Sequence, residues 1–110
     1  MSEPQTVLTR LMATIEDRQA NPSEKSYTSQ LLTAGVAKIG AKITEEAAEV
    51  VEAAGESGDA GREHLVREAA DLVYHLLVML AHCGSSLTAV EAELARRFGI
   101  SGLEEKAGRA

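Results

Sequence analysis

The segment VAKIGAKITEEAAEVVEAA, residues 36–54, decides the fold. At 100° per residue, Val36, Ile39, Ile43, Ala47, Val50 and Ala54 fall within an arc of about 80°, the stripe of an amphipathic helix. With Ile39 at zero, Glu46, Lys42, Glu49 and Glu45 lie at about −20°, −60°, −80° and −120°. Glu46 therefore stands at the core edge, while Glu52 and Glu56 continue toward solvent. A carboxylate at a core edge needs something to offset its charge.

Working outward, the glycines at 55, 58 and 61 make GESGDAG a short flexible turn between two antiparallel helices. The second long helix runs from Arg62 to Cys83 and stops at Gly84. With Leu65 at zero on this helix, Leu72 and Leu76 flank the apolar centre, and Glu68, His75 and Asp71 lie at about −60°, −80° and −120°. Each long helix thus carries two carboxylates at i, i+3 beside its core stripe.

On the N-terminal side, residues 4–19 carry Val7, Leu8, Leu11, Met12 and Ile15 at helical spacing, with Ser2 as N-cap, Pro4 in the first turn and Asn21-Pro22 as the stop. SEKSYTSQLLTAG, residues 23–35, reads as a turn followed by a short helix around Leu31 and Leu32 that ends at Gly35. On the C-terminal side, Ser85-Ser86 announce a helix over Leu87 to Phe98, closed by Gly99. No segment alternates with period two, and no internal repeat is visible. The expected fold is all-α: one domain over residues 1–110, an antiparallel helical bundle. LVYHLLVMLA, residues 72–81, is apolar nearly all round and must be covered on both sides. The bundle is therefore expected to be completed by oligomerisation, as a dimer or higher assembly.

Composition narrows the function classes. Two Tyr, one Phe and no Trp leave Leu, Val, Ile and Ala to build the core. A net charge of −6 disfavours a broad hold on nucleic acid. Cys83 is the only cysteine, so no internal disulfide forms, and it reads as a small buried hydrophobe. The N-terminus lacks a signal-type apolar run and no stretch is long enough to span a bilayer, so no membrane partner is expected and the location is cytoplasmic.

Because the two acid-bearing helices should run antiparallel, Glu46 and Glu49 can approach Glu68 and Asp71. Two unit charges at about 4 Å repel by about 4 kcal/mol at an effective dielectric of about 20. Such a cluster takes up protons or binds a cation, and all-oxygen ligands favour Mg²⁺ or Mn²⁺ over Zn²⁺. Lys38 and Lys42 lie one turn apart on the same flank, placed either to pair with Glu46 and Glu49 or to grip phosphate. GVAKIGAK is not a Walker A loop, since no strand precedes it and no Lys-Ser/Thr follows the second glycine. His75 is either a ligand contact or a core-edge histidine; His64 and His82 are weaker candidates.

The pattern KxxEExxE followed by ExxD resembles the all-α nucleoside triphosphate pyrophosphohydrolases, the MazG-like group that includes dimeric dUTPases. SYTSQLLTAG, KIGAKITEEAAEVVEAA, REAADLVYHLLVML and ELARRFGISGLEEKAGR are similar to one branch, the phosphoribosyl-ATP pyrophosphatases of histidine biosynthesis, over residues 5–109. The resemblance implies Mg²⁺-assisted hydrolysis of phosphoribosyl-ATP to phosphoribosyl-AMP and pyrophosphate by a homo-oligomer. It places Glu46, Glu49, Glu68 and Asp71 on the metal-binding acids, Lys42 on the motif lysine and Glu45 on its first glutamate. Glu45 or Glu49 would orient or deprotonate the attacking water. Lys42 and Lys38 would hold polyphosphate, Ser26, Tyr27 and Thr28 the nucleotide or ribose phosphate, and Lys106 and Arg109 the terminal phosphate. Ser26 is equally suited to cap a helix. A housekeeping pyrophosphatase for noncanonical nucleotides and a noncatalytic dimerisation module are the competing expectations. A ferritin-like redox site is poorer, lacking Glu-x-x-His on paired helices.

Overall fold

Five helices and their connections make up residues 5–98, the part of the chain described by the computed structural model: α1 (Val7–Ala20), α2 (Tyr27–Ala34), α3 (Val36–Ala54), α4 (Gly58–His82) and α5 (Leu87–Phe98). No strand occurs among the described residues. The all-α class follows, with α3 and α4 forming an antiparallel hairpin that is the main packing interface.

Local sequence explains most boundaries. Thr6, rather than the expected Ser2, caps the helix that begins at Val7, its hydroxyl accepting from Thr9 N at 3.1 Å. Ser2 and Pro4 lie outside the described residues. Ser26 caps α2 by accepting from Ser29 N at 3.1 Å, and Ser86 does the same for Ala89 N at 3.1 Å ahead of α5. These bonds satisfy amide donors that have no partner within the helix.

The hairpin departs from expectation. α4 starts at Gly58, so the turn is only three residues, Gly55 to Ser57, and two of the three glycines thought to break the helix belong to it. Gly58 takes φ 78° as the chain reverses, a conformation costly for a residue with a Cβ. Gly61 is buried, and a Cβ there would stand 2.7 Å from the Glu56 carbonyl oxygen. The missing side chain lets the turn lie directly against the first turn of α4.

The core gathers Met12 and Ile15 from α1, Leu31 from α2, Ile39 from α3, Leu77, Val78 and Ala81 from α4, and Leu87 from α5. Each large aliphatic side chain so buried contributes about 1.5–3 kcal/mol. Every helix supplies at least one of these residues, which ties α2 and α5 to the hairpin. The helical wheel is corrected at its margins: Val36 and Ala54 are exposed, and so is Leu76, because the core side of α4 is centred on Leu77, Val78 and Ala81. Cys83 is also exposed, against the expectation of a buried thiol. It occupies the cap position after α4, where the chain leaves the core before Gly84. No single described helix is long and apolar enough to cross a membrane.

Candidate metal centre

Glu46 projects from the middle of α3 into the α3–α4 interface and is only 7% exposed, as its place at the core edge required. Opposite it, Glu68 and Asp71 lie on successive turns of α4. One carboxylate oxygen from each of Glu46, Glu68 and Asp71 falls within 4.8 Å of the others. Glu46 Oε2 and Glu68 Oε2 are buried without a hydrogen-bond partner. Two orphaned acceptors facing a third carboxylate call for a proton or a cation, because a buried acceptor left unpaired is costly. Their donor set, hard oxygens on rigid helices, fits a divalent cation such as Mg²⁺ or Mn²⁺.

The electrostatics agree. Burial is the largest influence raising the Glu46 carboxyl above its ordinary range; a hydrogen bond with Glu68 lowers it, and the charges of Glu49 and Asp71 raise it further. Glu49 is also raised, first by hydrogen bonding to Glu68 that favours its protonated form, then by desolvation and the Glu68 charge. Glu49 thus borders the three-acid group without being one of it.

The other expected residues divide. Lys42 pairs with Glu45 at 3.3 Å, not with Glu46 as i, i+4 spacing had implied, because Glu46 is turned into the interface. This pair holds Lys42 charged. Lys38 is exposed one turn earlier on α3. Ser26 is engaged as the α2 cap, and Thr28 Oγ1 bonds the Tyr74 hydroxyl. Lys106 and Arg109 lie outside the described residues.

His75 is a structural histidine. It is buried, and its Nδ1 donates to the Asp71 carbonyl oxygen at 2.8 Å, which leaves Nε2 to accept from the Tyr27 hydroxyl at 3.2 Å. Tyr27 and Tyr74 stack at 6.3 Å between centroids, and Tyr74 meets the His75 ring edgewise at 5.0 Å. The start of α2 is thereby fastened to the segment of α4 that carries Asp71.

His64, a weaker candidate from its sequence position, and Glu56, expected to face solvent, meet beside the cluster. His64 Nδ1 is 3.0 Å from Glu56 Oε2, and its Nε2 is 3.4 Å from Glu68 Oε1. Hydrogen bonding to Glu56 raises its pKa. The i, i+4 spacing of His64 and Glu68 was a visible signal; the approach of Glu56 depends on the tight turn.

The sequence profile of the phosphoribosyl-ATP pyrophosphohydrolase family matches residues 8–98. The chain belongs to this family. Among its relatives, a protein of Rhodopirellula baltica named phosphoribosyl-ATP pyrophosphatase is 51% identical over 109 residues, covering 99% of this chain and 91% of its own length. Proteins of the same name from Geotalea daltonii and Paramagnetospirillum magneticum are 46% identical over 103 residues and 44% over 110. The former alignment covers 94% of each chain; the latter covers 100% of this chain and 98% of the relative.

Proposed function

We propose that the chain hydrolyses phosphoribosyl-ATP to phosphoribosyl-AMP and pyrophosphate, a step of histidine biosynthesis, with Mg²⁺ held by Glu46, Glu68 and Asp71. The observation that carries this is the pair of buried, unpartnered oxygens, Glu46 Oε2 and Glu68 Oε2, in a chain of the pyrophosphohydrolase family. Mn²⁺ is the natural substitute, since it accepts the same oxygen donors.

When bound, the cation supplies Lewis-acid clamping of phosphate oxygens and offsets charge on the leaving pyrophosphate. Glu49, at the margin of the cluster, orients the water that attacks the α-phosphorus and takes its proton. Glu45 is the poorer base, since its carboxylate is engaged with Lys42 and is 53% exposed. The new bond joins water oxygen to the α-phosphorus as the bond to the bridging oxygen breaks, and that oxygen departs with pyrophosphate. Lys42, with Lys38 behind it, meets the polyphosphate, exchanging its bond to Glu45 for phosphate oxygens. Tyr27, 47% exposed beside the aromatic cluster, offers its ring to the nucleotide. Ser26 serves this surface indirectly, through the cap.

A second copy of the chain completes the bundle. On α4, Val66, Val73, Leu76 and Leu80 fall within about 80° at 100° per residue. Val66 is 68% and Leu76 43% exposed, so this stripe is covered only in part by the chain itself. A dimer that buries it accounts for the all-round apolar character of α4. A cytoplasmic location fits the phosphorylated substrate and the exposed, unpaired thiol of Cys83.

The decisive experiment is turnover of phosphoribosyl-ATP by the purified protein, alongside a panel of ordinary and noncanonical nucleotides. Hydrolysis in Mg²⁺, abolished by EDTA and by Glu46→Gln, is expected. Preferential cleavage of another nucleotide would overturn the substrate, and undiminished turnover in EDTA would overturn the cation. In ¹⁸O-water the label is expected in phosphoribosyl-AMP; label in pyrophosphate alone would refute attack at the α-phosphorus.

A further inference from the structure

We infer that His64 is a positioning residue for Glu68: anchored by Glu56 through one ring nitrogen, it holds Glu68 Oε1 with the other and so directs Glu68 Oε2 to the cation. The inference rests on the cation reading above and adds a residue to it.

A glutamate's terminal torsion is broad and two-fold, so a helix alone does not decide which of its oxygens faces a ligand. In Glu68 the oxygens are distinguished. Oε1 lies 3.4 Å from His64 Nε2, whereas Oε2 is buried with no hydrogen-bond partner, and one Glu68 oxygen lies within 4.8 Å of an oxygen of Glu46 and of Asp71. The imidazole is itself fixed, because Nδ1 faces both oxygens of Glu56, at 3.1 and 3.0 Å. Glu56 belongs to the α3–α4 turn, and its backbone is pressed onto α4 at Gly61, where a Cβ would meet its carbonyl oxygen at 2.7 Å.

A chain of contacts therefore runs from the glycine of α4 through Glu56 and His64 to the candidate ligand. The ring is not among the three side chains whose oxygens converge, so it acts on the cation through Glu68. Partners of this outer kind typically govern metal affinity by about 10- to 100-fold.

The test is direct Mn²⁺ binding, read from the free-ion electron paramagnetic resonance signal, on the full chain without substrate. His64→Ala is expected to weaken binding about tenfold or more. His64→Gln, whose amide N–H can still reach Glu68, should recover most of the loss, whereas His64→Leu, of similar bulk but with no donor, should not. Glu56→Ala, an exposed turn substitution that leaves the core intact, should weaken binding as well. The double variant should bind like His64→Ala, because Glu56 acts only through the ring.

Wild-type binding that His64→Ala leaves unchanged or tightens would overturn the inference alone. So would Gln no better than Ala, or additive effects of the two single changes. Failure of the wild type to bind Mn²⁺ would overturn the cation reading, and this inference with it.

Discussion

Replacing Glu46 by Gln separates the fold from the candidate centre. The change preserves size, removes one charge from the α3–α4 interface and puts an amide donor near a carboxylate that has a buried, unpartnered oxygen. The oxygens of Glu46, Glu68 and Asp71 lie within 4.8 Å of each other. At such a separation a pair of charges repels by about 3.5 kcal/mol at an effective dielectric of about 20 and by about 0.9 kcal/mol in water. Asp71 is exposed, so its share sits near the lower figure, whereas Glu46 and Glu68 are inside the interface. A net relief of about 1–3 kcal/mol follows after water penetration. For a domain of this size each kcal/mol moves Tm by about 4–8 °C.

In EDTA at about pH 8, Glu46→Gln is expected to melt at least about 4 °C above wild type. Adding Mg²⁺ or Mn²⁺ should reverse the advantage. Ligand at about 100 times its Kd adds about 2.7 kcal/mol to whichever protein binds it. Only the wild type should gain that increment. Differential scanning calorimetry with and without cation reads both effects. A Glu46→Gln protein that melts lower in EDTA, or that gains as much from the cation as wild type, would refute the convergence of charges at this site.

Proton uptake provides a second check. Glu46 and Glu49 are raised above 4.5 in the folded chain, so the stability they confer is full below that value and is lost as pH rises through their folded values. The EDTA-treated protein should therefore melt progressively higher as pH falls from about 8 toward about 5. Raised His64 acts in the same direction, and Glu93, lowered to about 2 by Arg96 and Arg97, acts oppositely only below 4.5. Glu46→Gln should flatten the part due to Glu46, and an unchanged slope in that variant would exclude it. Gly61→Ala should destabilise by about 1–3 kcal/mol in thermal melts through its clash with the Glu56 carbonyl, against a helix-propensity gain of about 1 kcal/mol. A more stable Gly61→Ala protein would show that the turn does not press on α4. Light scattering is expected to find a dimer that Val66→Asp shifts toward monomer, and a monomeric wild type at micromolar concentration would contradict the shared α4 face.

Much of this protein is legible residue by residue, because helical periodicity, caps and stops act over a few positions. The stripe around Ile39 and Ile43, the cap at Ser26 and the closure of α2 at Gly35 need no tertiary knowledge, and the edge position of Glu46 follows from its angle on α3. A helical wheel, however, supplies azimuth and no axial register between two helices. Only the packed hairpin could set Glu46 against both Glu68 and Asp71 and leave Glu49 at the margin. The same limit explains the errors. Whether glycines 58 and 61 break a helix or let a turn pack onto one depends on what lies over them, and here it is Glu56. Burial of Cys83 and Leu76 likewise depended on where the other helices end and which side of α4 they cover, a property of the assembled core and of no single segment.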